Sequence, residues 1–284
     1  MISISAVTLQ ASNALGGPPF LLRLDSPLPI IKGRMAVVTE KTTPESSTDG
    51  VETLTVKVGD DNIFLRKAGK GPPVLLLHGG AGDSSDWIET MVALSGSYAL
   101  YAPDLVGYGR SDRNRDGYHL SDFTDSTKGL IEALRLDAPL TIVGHSLGGR
   151  VALDIALKHP DKVRKLALID TTGFSRLARW GSFLGAMFFY VRRVLHRPQP
   201  FPRFLMDGEP DAHWVCLNRL PELKMPSLIV WNRHDPYYTV KGALKAKKLM
   251  PQAQLEIMPG YGHAPHRTER ETFNRLLSAF LAKP

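Results

Sequence analysis

Ser146 stands between glycines in VGHSLGGR, residues 143–150, at the end of an apolar run. A serine hydroxyl is a weak nucleophile at neutral pH. It becomes a strong one when a histidine takes its proton and a carboxylate orients that histidine. The spacing G-x-S-x-G is weak evidence alone, because a chain with 25 glycines produces it by chance roughly one time in seven. Its surroundings sharpen it. LTIV precedes the motif and LGGRVALDIALKHP follows, the strand, tight turn and helix that present a nucleophile at a helix N-terminus. Gly144 and Gly148 then let strand and helix pass close to the serine. The first N–H groups of the helix, and its dipole, favour negative charge developing nearby.

The base and the acid are expected downstream. GYGHAP places His263 in a glycine-rich loop after the short strand QLEIM, and VWNRHDPYY places Asp235 just past the apolar strand SLIVW. A loop residue there reaches the C-terminal edge of a parallel sheet. The order Ser146, Asp235, His263 is the one that accompanies a serine on this kind of turn. The other histidines are assigned lesser parts: His78 braces the loop after its strand, His145 walls the site beside the nucleophile, and His234 is exposed. His266, three residues past His263, is expected at the surface or on the cap side at the start of the last helix.

The elements that must position these residues follow from hydrophobic spacing. VETLTVKV from Val51 alternates as a half-buried strand, and IFLRKA after the turn at 59–62 completes a hairpin. PVLLLH (73–78), YALYAPD (98–104), LTIVG (140–144), KLALID (165–170) and SLIVWN (227–232) are short and almost wholly apolar, as strands buried on both faces are. Helical patterns over 84–95, 121–135, 147–159, 238–249 and 269–282 alternate with them, which implies a parallel sheet covered on both sides. Residues 1–50, with GGPPF, SPLPI and KTTPESSTDG, read as an irregular N-terminal extension. The core is expected over 51–171 and 225–284. Residues 172–224, which include RLARWGSFLGAMFFYVRRVLHRP, read as an inserted helical cap, since compact domains rarely carry so long an unstructured connection.

Composition removes other classes. The net charge is +7 from 35 Lys and Arg against 28 Asp and Glu, with no block of like charge to form a nucleic-acid-binding arm. No G-x-x-x-x-G-K-[ST], H-E-x-x-H or paired C-x-x-C occurs, so no phosphate loop or protein-built zinc site is expected. Cys216 is the single cysteine, which rules out an intrachain disulfide and suits a reducing cytoplasm. The N-terminus lacks the basic-then-apolar order of a secretory signal. The apolar stretch 181–191 is far short of the roughly 20 residues of a membrane helix, so no membrane span is expected.

Five stretches, LLLHGG, DLVGYGRSD, GHSLGG, WNRHDPYY and GYGHAPHRTERETFNRLLSAFL, together resemble the α/β-hydrolase superfamily, in its capped branch of esterases, haloperoxidase-like enzymes and carbon–carbon hydrolases. The resemblance runs from about residue 51 to the C-terminus. It implies an α/β-hydrolase fold, a mostly parallel eight-stranded sheet with helices on both faces and a short cap after strand six. It also implies an oxyanion hole from the amides of Gly80 and Leu147. Some members take the acid from the end of the preceding strand, which makes Asp170 the competitor of Asp235; the WNRHDPYY loop favours Asp235. Asn232 stands where many relatives have glycine, and members that open epoxides or remove halides carry aspartate where this chain has Ser146.

The resulting expectation is a serine hydrolase for a small-molecule carboxylic ester with a substantial apolar part, using Ser146, His263 and Asp235 and no cofactor or metal. The alternatives are cleavage of a carbon–carbon bond in a ring-fission dienoate, or ligand binding without turnover on the same scaffold. Phe183, Met187, Phe188, Phe189 and Tyr190 are candidates for an apolar lining or for gluing down the cap. Arg192 and Arg193 could meet a substrate carboxylate and are read as facing solvent.

Overall fold

The structure, a computed structural model, describes residues 50–115, 117–136, 139–176, 187, 190, 191, 194, 195 and 215–283. The expected N-terminal extension and most of the expected cap lie outside these residues, as do the side chains of Phe183, Phe188, Phe189, Arg192 and Arg193. Met187 and Tyr190 are exposed.

The hairpin forms from β1 (Val51–Val58) and β2 (Asp61–Ala68). They pair antiparallel from Val58 opposite Asp61 outward, two residues tighter than the hydrophobic pattern suggested because Gly59 takes φ +60. Then come β3 (Pro73–Leu77), β4 (Ala99–Pro103), β5 (Leu140–His145), β6 (Val163–Ile169), β7 (Ser227–His234) and β8 (Gln254–Tyr261). They form one eight-stranded sheet in the order β1-β2-β4-β3-β5-β6-β7-β8. β2 runs antiparallel to β4, and the pairs from β4 to β8 are parallel.

Helices cover both faces, and strand alternation explains why the central strands are apolar throughout. Leu75, Leu77, Ile142, Leu168, Ile229 and Trp231 join one buried cluster. Against it pack α2 (Leu120–Ala133), α3 (Ser146–Lys158) and α4 (Val240–Leu249). Their neighbours Val74, Leu76, Val143, Ala167, Leu228 and Val230 join the opposite cluster. There α1 (Ile88–Leu94) and the C-terminal helix α6 (Arg270–Ala282) contribute Met91, Phe273, Leu277 and Phe280. A short α5 (Pro265–Thr268) precedes α6. Truncating one such core leucine to alanine would cost about 2–5 kcal/mol, so the sheet is a stiff frame for whatever its C-terminal edge carries. Among the described residues no helix is long and apolar enough to cross a membrane.

Candidate active site

β5 passes directly into α3, and Ser146 at the junction has φ +49. That left-handed conformation is disfavoured for any residue with a Cβ, by about 1–3 kcal/mol. It persists because the surroundings leave no slack. A Cβ on Gly144 would fall 2.4 Å from the carbonyl oxygen of Gly148, and one on Gly148 would fall 2.4 Å from that of Leu77. The turn is held from two sides: Gly148 N donates to His78 O (3.1 Å) and Thr172 N to Ser146 O (3.1 Å).

The loops after β7 and β8 bring the other two expected residues to this serine. His263 Nε2 lies 2.8 Å from Ser146 Oγ, and His263 Nδ1 lies 2.8 Å from Asp235 Oδ2. The Asp235 side chain has no exposure, and its Oδ1 accepts the amides of Tyr237 (2.7 Å) and Tyr238 (3.1 Å). With Asp235 as acceptor, Nδ1 carries the hydrogen and the Nε2 lone pair faces the serine hydroxyl. The rings of Tyr237 and Tyr238 flank the imidazole at 5.0 and 5.6 Å. Such an arrangement is chemically able to strip a proton from the hydroxyl as it attacks a carbonyl carbon.

Gly80 lies on the exposed loop that leaves β3, and Leu147 is the second residue of α3. The loop approaches the serine closely: a Cβ on Gly79 would be 3.2 Å from Ser146 Cβ. His78 braces it, donating from Nδ1 to Gly79 O (2.7 Å) and accepting Leu105 N at Nε2 (2.9 Å), and its burial pushes its pKa down. Asp104, within the DLVGYGRSD stretch, was given no part by sequence reasoning. Its carboxylate accepts Ser84 N (2.6 Å) and Arg110 N (2.7 Å), joining the segment after the glycine loop to its neighbour. The signal was present as an Asp directly after an apolar strand.

His266 departs from expectation. It is buried, stacked on Trp87 with ring centroids 4.4 Å apart, 4.6 Å from His145 and 5.9 Å from Phe273. Trp87, more than a hundred residues earlier, covers the position, so a surface assignment fails. Burial, with the charge of Arg267 behind it, pushes the His266 pKa down to about 3. His145 walls the site as expected and also donates from Nε2 to the carbonyl of His263. His234 is exposed and stacks on Tyr261.

Asp170, the competing acid, is fully buried at the exit of β6 with φ +40. Its Oδ1 accepts Asn232 N (2.8 Å). It does not hold His263; Asp235 does. Asn232, which replaces a familiar glycine, ties the two loops instead, because its Nδ2 donates to Gly262 O (3.2 Å).

The model of the α/β hydrolase fold matches residues 72–195, a span that contains Gly80, Ser146 and Leu147. A pimeloyl-[acyl-carrier protein] methyl ester esterase from Vibrio vulnificus is 30% identical over 258 residues, 78% of this chain and 99% of that protein. The chain belongs to the α/β-hydrolase family. This α/β hydrolase is also 27% identical to a 2-hydroxy-6-oxo-6-phenylhexa-2,4-dienoate hydrolase from Burkholderia cepacia, over 84% of this chain and 98% of that one. Among solved structures, the meta-cleavage product hydrolase of Pseudomonas fluorescens IP01 superposes with a TM-score of 0.66 at 25% identity, covering 80% and 96% of the two chains.

Among the described residues, one group of side chains could gather a cation: donor atoms of Asp170, Asp235 and His263 lie within 4.8 Å of one another. The imidazole, however, is already engaged at both nitrogens by Asp235 and Ser146, so a metal would have to displace one of these bonds.

Proposed function

We propose that the chain is a serine hydrolase that cleaves a carboxylic ester with a substantial apolar part. One observation carries this reading: a single imidazole within 2.8 Å of both a buried carboxylate and the hydroxyl of a serine on a strained turn. In the reaction His263 Nε2 takes the Ser146 proton as Oγ attacks the carbonyl carbon, and Asp235 stabilises the imidazolium that forms. The amides of Gly80 and Leu147 receive the oxyanion, each donor being worth about 3–4 kcal/mol in comparable sites. His263 then protonates the leaving alcohol, and water activated by the same imidazole resolves the acyl-enzyme. These steps call for no metal or organic cofactor. The substrate is a small molecule, without a nucleic-acid partner, and the lone buried Cys216 suits a reducing cytoplasm.

A second reading, hydrolysis of a carbon–carbon bond in a dienoate ring-fission product, is favoured by the similarity to the Burkholderia dienoate hydrolase. The same serine and histidine would serve it. A panel of p-nitrophenyl esters and a dienoate, run on wild type and Ser146→Ala, separates the two. We expect ester turnover that falls at least about a thousandfold in the variant and no dienoate turnover. Dienoate turnover with weak esterase activity would replace the ester reading. Failure of a fluorophosphonate to label Ser146 in folded protein would leave ligand binding on this scaffold.

A further inference from the structure

Two buried carboxyl groups lie side by side at the C-terminal edge of the sheet. Neither the Asp170 side chain at the exit of β6 nor the Asp235 side chain after β7 reaches solvent, and their oxygens approach within 4.8 Å. Two carboxylates so close and so dry do not both ionise; one of them keeps a proton. The hydrogen-bond donors decide which. Asp235 accepts three N–H groups, from Tyr237, Tyr238 and His263, and a carboxylate gains most from such donors when it is charged. Asp170 accepts one, from Asn232, and its Oδ2 has no partner among the described residues. A buried oxygen with no donor is costly as an anion and suits the hydroxyl of a protonated acid.

We infer that Asp170 and Asp235 share one proton at neutral pH, that Asp170 holds it, and that the Asp170 hydroxyl at Oδ2 steadies the Asp235 carboxylate that orients His263. This rests on the triad reading of the same site and adds a positioning residue behind the acid. Among the described residues, the ionisable groups beside Asp170 are Asp235 on the loop after β7 and His263 on the loop after β8, while β7 itself offers the Asn232 amide. Burial, and then the Asp235 charge, push its pKa up to about 8, in agreement with the donor count. When Asp170 does ionise, the hydroxyl that steadied the Asp235 carboxylate is replaced by a second anion against it, and Asp235 no longer holds His263 in the position that accepts the serine proton.

Asp170→Ala and Asp170→Asn test this. Asparagine keeps an acceptor for Asn232 N and an N–H donor where the hydroxyl would be, and it has no proton to lose. We expect kcat for a p-nitrophenyl ester to fall about tenfold or more in Asp170→Ala with KM within about twofold, and Asp170→Asn to restore most of it. Wild-type kcat/KM should decline above about pH 8, and the asparagine variant should lack that decline. Equal impairment of the two variants, or an unchanged alkaline decline in Asp170→Asn, would overturn the inference. If the alanine variant does not fold, the pH profiles of wild type and asparagine variant decide alone. Melting temperatures read without substrate keep this test apart from the hydrolase reading. The asparagine variant should gain on wild type between about pH 4 and 8 and hold that gain above it, whatever either protein hydrolyses. A pH-independent difference would remove the proton from Asp170 even in an active esterase.

Discussion

β6 and β7 end alike in sequence and unlike in chemistry. Each is an apolar run that delivers an aspartate to the same edge of the sheet, yet Asp235 is surrounded by N–H groups and Asp170 by almost none. The difference lies in the chain just beyond each strand. After β7 the turn past Pro236 points the amides of Tyr237 and Tyr238 back onto the carboxylate. After β6, Thr171 and Thr172 are occupied with the carbonyl of Ser146 and give Asp170 nothing. An identical functional group thus becomes a charged acceptor in one place and a neutral donor in the other, and the backbone makes the choice.

The largest effect should come from removing the charged member. Asp235→Ala leaves His263 free to turn and to adopt the wrong tautomer, and we expect kcat to fall about ten-thousandfold with KM changed only a few-fold. Asp170→Ala should lose far less, on the order of tenfold. Steady-state kinetics of the two alanine variants on one ester would break the comparison if the losses were equal, and would reverse it if Asp170 were the costlier residue.

Much of this edge was legible in the sequence, for reasons that mark where legibility stops. Strand runs such as PVLLL and LTIVGH carry their own signal, because a strand buried on both faces has no polar positions to blur it. The chain order of Ser146, Asp235 and His263 marked the three candidates, since each stands at or just past the end of a strand. The choice between Asp170 and Asp235 was not decided by the strands, because it depends on which amides a loop turns inward. His266 was misplaced for a related reason: its cover, Trp87, comes from a loop far away in sequence, and local pattern at residues 265–270 cannot announce it. The first 49 residues and most of 177–214 stay as expectations, outside the described residues.

The next effect, smaller than loss of the acid, is on stability. In the folded chain Asp170 is held up near 8, whereas its ordinary value is 3.8. Between these limits the folded state keeps a proton that the unfolded state has released. Stability therefore falls as pH rises from about 4 to 8, by a ceiling of about 5–6 kcal/mol and, with the higher effective dielectric of real interiors, by about 2–3 kcal/mol. Asp170→Asn removes that slope. It should melt close to wild type at pH 4–5 and several degrees above it at pH 9. The corresponding melts for Asp235→Asn should show a smaller alkaline gain, because that variant removes the Asp235 charge that helps to hold Asp170 up but leaves the larger cause, its burial.

The smallest effect comes from His266, which belongs to neither strand end and so separates acid behaviour from alkaline behaviour. Its imidazole lies against Trp87 and Phe273, with neither ring nitrogen partnered among the described residues. It stays neutral down to about pH 3 in the fold and titrates near 6.5 once unfolded. Below pH 6.5 the unfolded chain takes a proton that the native chain refuses, so stability falls as pH falls toward 3. Replacing the ring by His266→Phe should change stability at pH 7 by no more than about 1 kcal/mol, since an unpartnered buried polar group gives way to an apolar one of similar shape. It should make the protein outlast wild type at pH 4–5 and leave the alkaline melts untouched. An alkaline change in this variant would mean that the titration assigned to Asp170 is spread over the whole cluster, and the contrast between the two strand ends would have to be drawn again.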